Sequence, residues 1–257
     1  MHPILFKLGS ITIYTYGVFV FLGLILGFFF AQREACRLRI DVNKFTDIIF
    51  WTALTAFAGA RLLYVIIEYR WFLERPLEIV FSRSGFVFLG GIIFGLIPLY
   101  LLTKKHKISF LKMADCIAIG LPLGHSLGRL GCFFYGCCYG RSTSSFIGVL
   151  FPSNSAAGML GEKVIPTQLI SSFFLFLIFL TLFFLRKYKR FSGQLFVWYL
   201  WLYGFFRFII ELFRGDDRGT FWGFSPAQII SVILILIGTY IFLKKRRSSL
   251  NSARCIL

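Results

Sequence analysis

The chain has few acidic residues: 11 Asp and Glu stand against 28 Lys and Arg among 257 residues. Charged residues make up only 15% of it, whereas a soluble domain carries about a quarter. Hydrophobic residues reach 58%, and Phe alone contributes 34 residues. This composition excludes an ordinary soluble domain and predicts an all-α polytopic membrane protein.

The excess of positive charge does not predict nucleic-acid binding. Lys and Arg stand in short clusters between apolar runs, which is the pattern of cytoplasmic loops that face an anionic membrane. The first residues, MHPILFKLGSITIYTYG, lack a basic n-region and a small-residue cleavage site. We therefore expect no cleavable signal peptide.

Long apolar runs divide the chain into candidate membrane spans, each of about 20 residues. We count seven spans, at about 11–32, 46–67, 85–103, 109–131, 167–185, 194–213 and 226–243. Gly and polar residues interrupt the third and fourth, which leaves open whether these two are continuous, broken or partly re-entrant. The polar segment 141–166 carries turn residues and predicts a small cap within a single membrane domain over 1–257.

The basic clusters alternate along the chain. They follow the first, third, fifth and seventh predicted spans, whereas the other connections mix acidic and basic residues. Because Lys and Arg concentrate in cytoplasmic loops, this alternation predicts an outer N-terminus and an inner C-terminus. The cap at 141–166 is then expected to face outward.

Ionisable residues inside spans are costly and indicate function by default. Three such residues are Arg61, Asp115 and Arg129, and a fourth place is the stretch YGFFRFIIELFR. Its side chains at spacings i, i+4, i+8 and i+11 predict one helical face, formed by Tyr203, Arg207, Glu211 and Arg214. Glu211 can pair with either arginine. A buried ion-pair network would only fix helix packing, whereas converging arginines suit a phosphate because the planar guanidinium gives two parallel hydrogen bonds.

The stretch GHSLGRLGCFFYGCCYGR, residues 124–141, concentrates polar and cysteine residues at the end of the fourth predicted span. Its cysteines read C-x4-C-C, which matches no strong zinc or iron–sulfur spacing, so we expect no metal and no cofactor. A disulfide between Cys132 and either Cys137 or Cys138 is one interpretation, and small packing residues around a turn is another. His125 lies four residues before Arg129, so the two could share a helical face, and it is a candidate base, as are Glu211, Tyr16 and Tyr203.

Other residues are compatible with a binding cavity but have simpler interpretations. Tyr16 could belong to an interfacial belt, and Gln168 could be a helix-entry residue. Gly90 and Gly91 allow close approach of a substrate or simply tight packing between helices.

With these residues assembled, the chain resembles the bacterial prolipoprotein diacylglyceryl transferases over nearly its whole length. The resemblance rests on YTYG, GARLLYV, GFVFLGG, ADCIAIGLPLGHSLGRLGCFFYGCCYGR, PTQL and YGFFRFIIELFR, in family order. The GRLG element and the YG–RF–E–R helix are the most specific of these motifs. The family has seven spans with the N-terminus outside and the C-terminus inside, as the charge pattern also predicts.

The resemblance implies an enzyme of the bacterial cytoplasmic (inner) membrane with its active site toward the outer face. Its substrates would be phosphatidylglycerol and a prolipoprotein: the lipobox cysteine sulfur attacks the glycerol carbon bearing the phosphate, glycerol phosphate leaves, and a thioether forms. Arg129 corresponds to the family's headgroup-binding arginine and Arg207 to its second essential arginine. Other functional or supporting positions are matched by Tyr16, Arg61, Gly140, Tyr203, Glu211 and Arg214.

The chain departs from the family pattern at two places. Leu89 stands where relatives often have a histidine with an assigned catalytic role. Relatives often read GRxGNFxNxE, and here Cys132 and Cys137 replace its first Asn and its Glu. Two alternatives stay open from the sequence: a related transferase with another acceptor, and a transporter with Gly-interrupted helices.

Overall fold

The computed structural model describes residues 3–8, 11–75, 85, 87–153, 155–216 and 223–254. Within this part of the chain the fold is dominated by helices, which identifies an all-α polytopic membrane architecture. The helices are α1 (Thr15–Arg37), α2 (Val42–Ile67), α3 (Tyr69–Glu74), α4 (Phe88–Lys105), α5 (Phe110–Tyr135), α6 (Thr167–Leu185), α7 (Gln194–Leu212) and α8 (Pro226–Arg254). Short 3-10 turns occupy Gly158–Leu160 and Arg186–Tyr188.

Six helices in the described ranges are long and apolar enough to cross a membrane, by length and composition. They are α1, α2, α5, α6, α7 and α8. Helix α4, with 18 residues, occupies the place of the third predicted span. The number of spans and their orientation stay predictions.

The start of the first predicted span is wrong. Residues 11–14 are not helical: strand β2 (Ile11–Tyr14) pairs antiparallel with β1 (Ile4–Leu8), and α1 begins directly afterwards. Apolar and polar residues alternate in ITIY, as expected for a strand with one apolar face. A second small hairpin joins β3 (Val149–Leu150) and β4 (Lys163–Val164) within the predicted cap.

The interruptions considered in the third and fourth spans are not present. Helices α4 and α5 both run without a break, although Pro98 and Pro122 lie inside them. The glycines of α5 serve close packing instead: a Cβ added at Gly120 would lie 2.0 Å from the Gly27 carbonyl oxygen, and one at Gly124 would lie 2.9 Å from that of Gly23. Only glycine allows α1 and α5 to approach so closely.

The chain forms two compact units. The first comprises Met1–Ala31 and Ala114–Leu257, and its apolar core joins α5, α6 and α7. Fully or nearly fully buried members of that core include Ile119, Ile178, Leu182 and Leu195.

Asp115 fixes the beginning of α7 within this unit. Its carboxylate accepts hydrogen bonds from the backbone N–H groups of Gly193, at 2.7 Å, and Phe196, at 3.0 Å. The Lys189 ammonium lies 2.6 Å from the same carboxylate. A carboxylate at a helix N-terminus is stabilised by the unsatisfied N–H groups there, so this buried charge has a structural explanation.

The second unit is Gln32–Met113, in which α2 and α4 pack closely. A Cβ at Gly90 would lie 2.4 Å from the Gly59 carbonyl oxygen, whereas one at Gly91 would come no nearer than 3.5 Å to Ala56. Gly90 therefore serves helix packing. The Arg61 guanidinium donates to the Gly85 carbonyl oxygen at 2.8 Å within the same unit.

Candidate functional site

A narrow cleft between α5, α6 and α7 brings the predicted arginines together. His125 and Arg129 line it from α5, and Tyr203 and Arg207 line it from α7. The cleft is small, with about 20 Å³ open to the centre of a water molecule. Its remaining walls are formed by Ser171, Phe174, Leu175, Ile178, Phe206 and Ile210.

The spacing along each helix explains why these side chains meet. His125 and Arg129 are separated by four residues, as are Tyr203 and Arg207, so each pair lies on one helical face. The rings of His125 and Tyr203 approach across the cleft, with centroids 5.8 Å apart. The predicted shared face of His125 and Arg129 is confirmed by the cleft that both line.

Hydrogen bonds join α5 and α6, two of the helices that form the cleft. The Ser126 hydroxyl donates to the Ser172 carbonyl oxygen at 2.8 Å, and the Ser172 hydroxyl donates to the Ser126 carbonyl oxygen at 2.9 Å. Both serines are buried. Such reciprocal bonds fix the separation of two helices where no water competes.

Glu211 forms its closest ion pair with Arg207. Its carboxylate lies 2.8 Å from the Arg207 guanidinium and 3.9 Å from that of Arg214. Arg214 instead donates two hydrogen bonds to the Asp216 carboxylate, at 2.7 and 2.6 Å. The ambiguity left by the sequence is thus resolved: Asp216 neutralises Arg214, and Glu211 neutralises Arg207.

Arg129 differs from the other two arginines. In the part of the chain that the structure describes, its guanidinium has neither a hydrogen-bond nor an ion-pair partner. It lines the same cleft as Arg207 and is near enough to repel it electrostatically. None of the described acidic side chains lines this cleft. The cleft therefore carries about one uncompensated positive charge, at Arg129.

Arg214 does not continue the helical face of α7, because that helix ends at Leu212. The expectation that it lies on one helical stripe with Arg207 is wrong in this respect. Arg214 forms an isolated antiparallel bridge with Gly140. A Cβ on Gly140 would lie 2.7 Å from the Phe213 carbonyl oxygen and 2.8 Å from that of Ile165. Only glycine lets these three segments meet.

The cysteine-rich turn closes the end of α5. The backbone N–H of Cys137 donates to the Cys132 carbonyl oxygen at 3.2 Å, and that of Gly136 donates to Phe133 at 3.2 Å. Gly136 has a φ of +76°. This is the Schellman arrangement, in which a glycine in the left-handed region ends a helix.

The beginning of α6 holds the same turn from the other side. The Gln168 amide donates to the Cys137 carbonyl oxygen at 2.7 Å, and the Thr167 hydroxyl donates to that of Cys138 at 2.8 Å. Gln168 is fully buried, and its side-chain oxygen has no hydrogen-bond partner among the described residues. Gln168 therefore positions the cysteine turn, whatever contact it makes with a substrate.

The three thiols of this turn converge. The sulfur atoms of Cys132, Cys137 and Cys138 all lie within 4.8 Å of one another, although none is in a disulfide. Hydrogen bonds from Cys132 and Cys137, together with the Arg214 guanidinium, lower the pKa of the Cys138 thiol. Hydrogen bonds to Cys132 and Cys138, together with burial, raise the pKa of the Cys137 thiol.

Tyr16 borders this region from the first turn of α1. Its ring centroid lies 6.2 Å from that of Tyr135, and its side chain packs on Gly131. Arg61, Gly90 and Gly91 belong to the second unit, where Leu89 is exposed. Their predicted contacts with a substrate stay predictions.

Sequence reasoning missed the partners that arrange the site. Asp216 lies after the last predicted position of its span, and only its short distance from Arg214 along the chain could have indicated the pair. Ser126 and Ser172 are 46 residues apart in sequence, and no local pattern links them. Thr167 directly precedes Gln168 and was detectable only as a polar residue at a helix start.

Comparison with known proteins gives a consistent family. The family model described as prolipoprotein diacylglyceryl transferase matches residues 3–244. A phosphatidylglycerol–prolipoprotein diacylglyceryl transferase of Clostridium tetani is 35% identical over 94% of this chain and 97% of its own length. Enzymes with the same name from Finegoldia magna and Staphylococcus saprophyticus are each 34% identical, over 98% and 96% of this chain and 99% and 90% of their own lengths.

Proposed function

The chain belongs to the prolipoprotein diacylglyceryl transferase family, and we propose that the cleft between Arg129 and Arg207 binds the phosphate of its lipid substrate. The protein is a transferase of lipoprotein maturation that uses phosphatidylglycerol and prolipoproteins. The observation that supports the site is that Arg129 lies beside Arg207 in this cleft and has, among the residues the structure describes, neither an ion-pair partner nor an acidic neighbour in the lining. The family assignment favours an enzyme over the transporter interpretation.

The cleft has a charged part and an apolar part, as a site for a phospholipid requires. Its polar part carries two guanidinium groups, which can each give parallel hydrogen bonds to phosphate oxygens. Its walls are aromatic and aliphatic, and Phe174 and Phe206 stack with centroids 4.4 Å apart. Acyl chains can pack against such walls while the headgroup meets the arginines.

The chemistry is displacement at a saturated carbon. The sulfur of the prolipoprotein's lipobox cysteine attacks the glycerol carbon that bears the phosphate. The carbon–sulfur bond forms as the carbon–oxygen bond breaks, and the electron pair leaves on the phosphate oxygen of glycerol phosphate. Negative charge therefore grows on the leaving group, where Arg129 and Arg207 stabilise it more strongly than in the bound substrate.

The remaining residues act around these two arginines. Glu211 orients Arg207, and Tyr203 and His125 face the same cleft. Gly140, Arg214 and Gln168 position the cysteine turn. The enzyme works in the bacterial cytoplasmic (inner) membrane with this cleft accessible from the outer face.

The test is transfer by the purified full-length chain in phosphatidylglycerol vesicles, with a lipobox-containing peptide as acceptor and mass spectrometry of the thioether product. Arg129→Ala and Arg207→Ala should each reduce the rate at least about a hundredfold, because each removes charge-assisted hydrogen bonds to the leaving group. Arg190→Ala is the matched control, since Arg190 is exposed and does not line the cleft. Wild-type rates in both cleft variants would disprove the headgroup role.

A further inference from the structure

The thiol cluster of Cys132, Cys137 and Cys138 is not used by the chemistry described above. Its sulfur atoms lie within 4.8 Å of one another, and all three residues are partly exposed. Cysteines that serve only as packing residues are usually fully buried. The convergence and the accessibility of these thiols therefore suggest a ligand.

The backbone is arranged so that the third thiol joins the other two. Cys138 has a φ of +62°, in the left-handed region that non-glycine residues rarely adopt. Such a conformation costs on the order of 1–3 kcal/mol and persists only where the surroundings impose it. Here the Thr167 hydroxyl binds the Cys138 carbonyl oxygen and Gln168 binds that of Cys137. The turn is therefore preorganised before any ligand arrives.

The sulfur donor atoms of the cluster indicate which metal ions it would bind. The cluster contains sulfur alone, with no carboxylate or imidazole among its members. Thiolate donors prefer soft or borderline cations such as Zn²⁺ to Mg²⁺ or Ca²⁺. Zinc–sulfur bonds of about 2.3 Å place tetrahedral ligand sulfurs about 3.8 Å apart, so small side-chain movements suffice.

The surroundings also fit the charge of such a centre. Three thiolates and one Zn²⁺ together carry a single negative charge. The Arg214 guanidinium lies close to the Cys138 sulfur and supplies a positive charge there. Partners outside the metal ligands commonly orient and stabilise zinc sites in this way.

We propose that Cys132, Cys137 and Cys138 bind a zinc ion whose fourth coordination position accepts the sulfur of the prolipoprotein cysteine. The inference about this fourth ligand depends on the proposed function, whereas the three-thiolate site does not. Zinc sites with three protein ligands and one open position are the catalytic type, and four-ligand sites are the structural type. The cluster has the three-ligand arrangement.

The position of the cluster suits delivery of a nucleophile. Cys132 lies three residues after Arg129 on α5, which places the two side chains on one face about 4.5 Å apart along the helix axis. A sulfur bound at the zinc would therefore lie beside the phosphate that Arg129 binds. This is the neighbourhood in which the glycerol carbon must be attacked.

The zinc activates the acceptor thiol. This chain needs such a group because Leu89 stands where the family resemblance places a histidine. The acceptor thiol displaces a water molecule from the zinc and releases its proton to solvent, because a coordinating thiol is deprotonated outright. The zinc-bound sulfur then attacks the glycerol carbon, and the carbon–oxygen electron pair leaves with glycerol phosphate. The thioether product, which carries no negative charge, leaves the zinc and water returns. No oxidant or reductant takes part.

The first experiment measures metal in the full-length protein, purified in detergent under reducing conditions and supplied with Zn²⁺. The expected result is about one tightly bound zinc ion per chain, lost in the Cys132→Ser/Cys137→Ser/Cys138→Ser variant and kept in the matched control Cys36→Ser. Cobalt replacement should give intense thiolate-to-metal charge-transfer absorption in the wild type. Absence of both signals, or a disulfide in the cluster that persists after purification under reducing conditions, would overturn the metal site.

The second experiment tests the fourth position without relying on turnover. A lipobox-containing peptide added to the cobalt protein should intensify the charge-transfer band as a fourth sulfur binds, whereas the same peptide with Ser in place of Cys should not. An unchanged spectrum with the cysteine peptide would overturn the inferred acceptor role. Arg129→Ala should keep the cobalt spectrum while losing transfer. Full transfer by Arg129→Ala would instead disprove the proposed headgroup site and leave the zinc site intact.

Discussion

Replacing Arg129 or Arg207 by Ala should cost the same activity but very different stability. Arg207 neutralises Glu211, whose side chain is only 5% exposed. Among the described residues, the other guanidinium near Glu211 is that of Arg214, which lies 3.9 Å away and already donates two hydrogen bonds to Asp216. Arg207→Ala therefore leaves a nearly buried carboxylate without a close partner, which costs about 3–5 kcal/mol. Arg129 has no such partner in the described structure, so Arg129→Ala should change stability by less than about 1 kcal/mol.

The double variant Arg207→Ala/Glu211→Gln separates stability from function. Glutamine removes the isolated charge, so at least about 2 kcal/mol of the lost stability should return. Transfer should not return, since the phosphate-binding guanidinium is still missing. The free energy of unfolding is measured by denaturant titration in detergent micelles, and transfer is measured in vesicles. Equal destabilisation by Arg129→Ala and Arg207→Ala, or no recovery with Glu211→Gln, would refute the assignment of Glu211 to Arg207.

Two further predictions concern the frame around the site. Asp115→Asn should lower the free energy of unfolding by about 3–5 kcal/mol, because it leaves the nearly buried Lys189 ammonium without its 2.6 Å partner. The double variant Asp115→Asn/Lys189→Met should lose less of this free energy. An equal loss in both variants would contradict the ion-pair explanation. Gly140→Ala should cost about 1–3 kcal/mol and reduce transfer, because the new methyl group would lie 2.7 Å from the Phe213 carbonyl oxygen. Gly128→Ala is its control, since a Cβ there meets nothing within 4 Å, and a Gly140→Ala protein as stable and active as this control would refute the packing account.

The helices were predictable because the bilayer imposes length and apolarity on the sequence itself. Helix α6 begins and ends where its span was predicted, at Thr167 and Leu185. The predicted start of the first span was wrong because the length of an apolar run does not distinguish a short strand such as Ile11–Tyr14 from the first turn of a helix. The glycines of α5 suggested interruptions, yet Gly120 and Gly124 fit a neighbouring helix, a contact that no local pattern reveals.

Local spacing also predicted part of the cleft. A separation of four residues placed His125 with Arg129 and Tyr203 with Arg207, and the structure brings both pairs to one cleft. The division of charge could not be predicted in the same way. Which arginine Glu211 neutralises depends on where α7 ends and on a competing carboxylate beyond that end. Asp115 shows the same limit, because a charge inside a span can indicate function or cap another helix 78 residues away.

The cysteines show most clearly how spacing along the chain differs from arrangement in space. C-x4-C-C is unlike the usual metal-binding patterns, which describe ligands on one regular turn or knuckle. Here Cys132 lies on the last turn of α5. Gly136, which has a positive φ, follows the end of this helix and reverses the chain. Cys138 also has a left-handed backbone and turns the chain again. The thiols of Cys132, Cys137 and Cys138 therefore lie close together in space, although four residues separate the first two along the chain. The convergence of three thiols at a turn that neighbouring side chains hold in place is why we expect this chain to activate its acceptor thiol by metal binding.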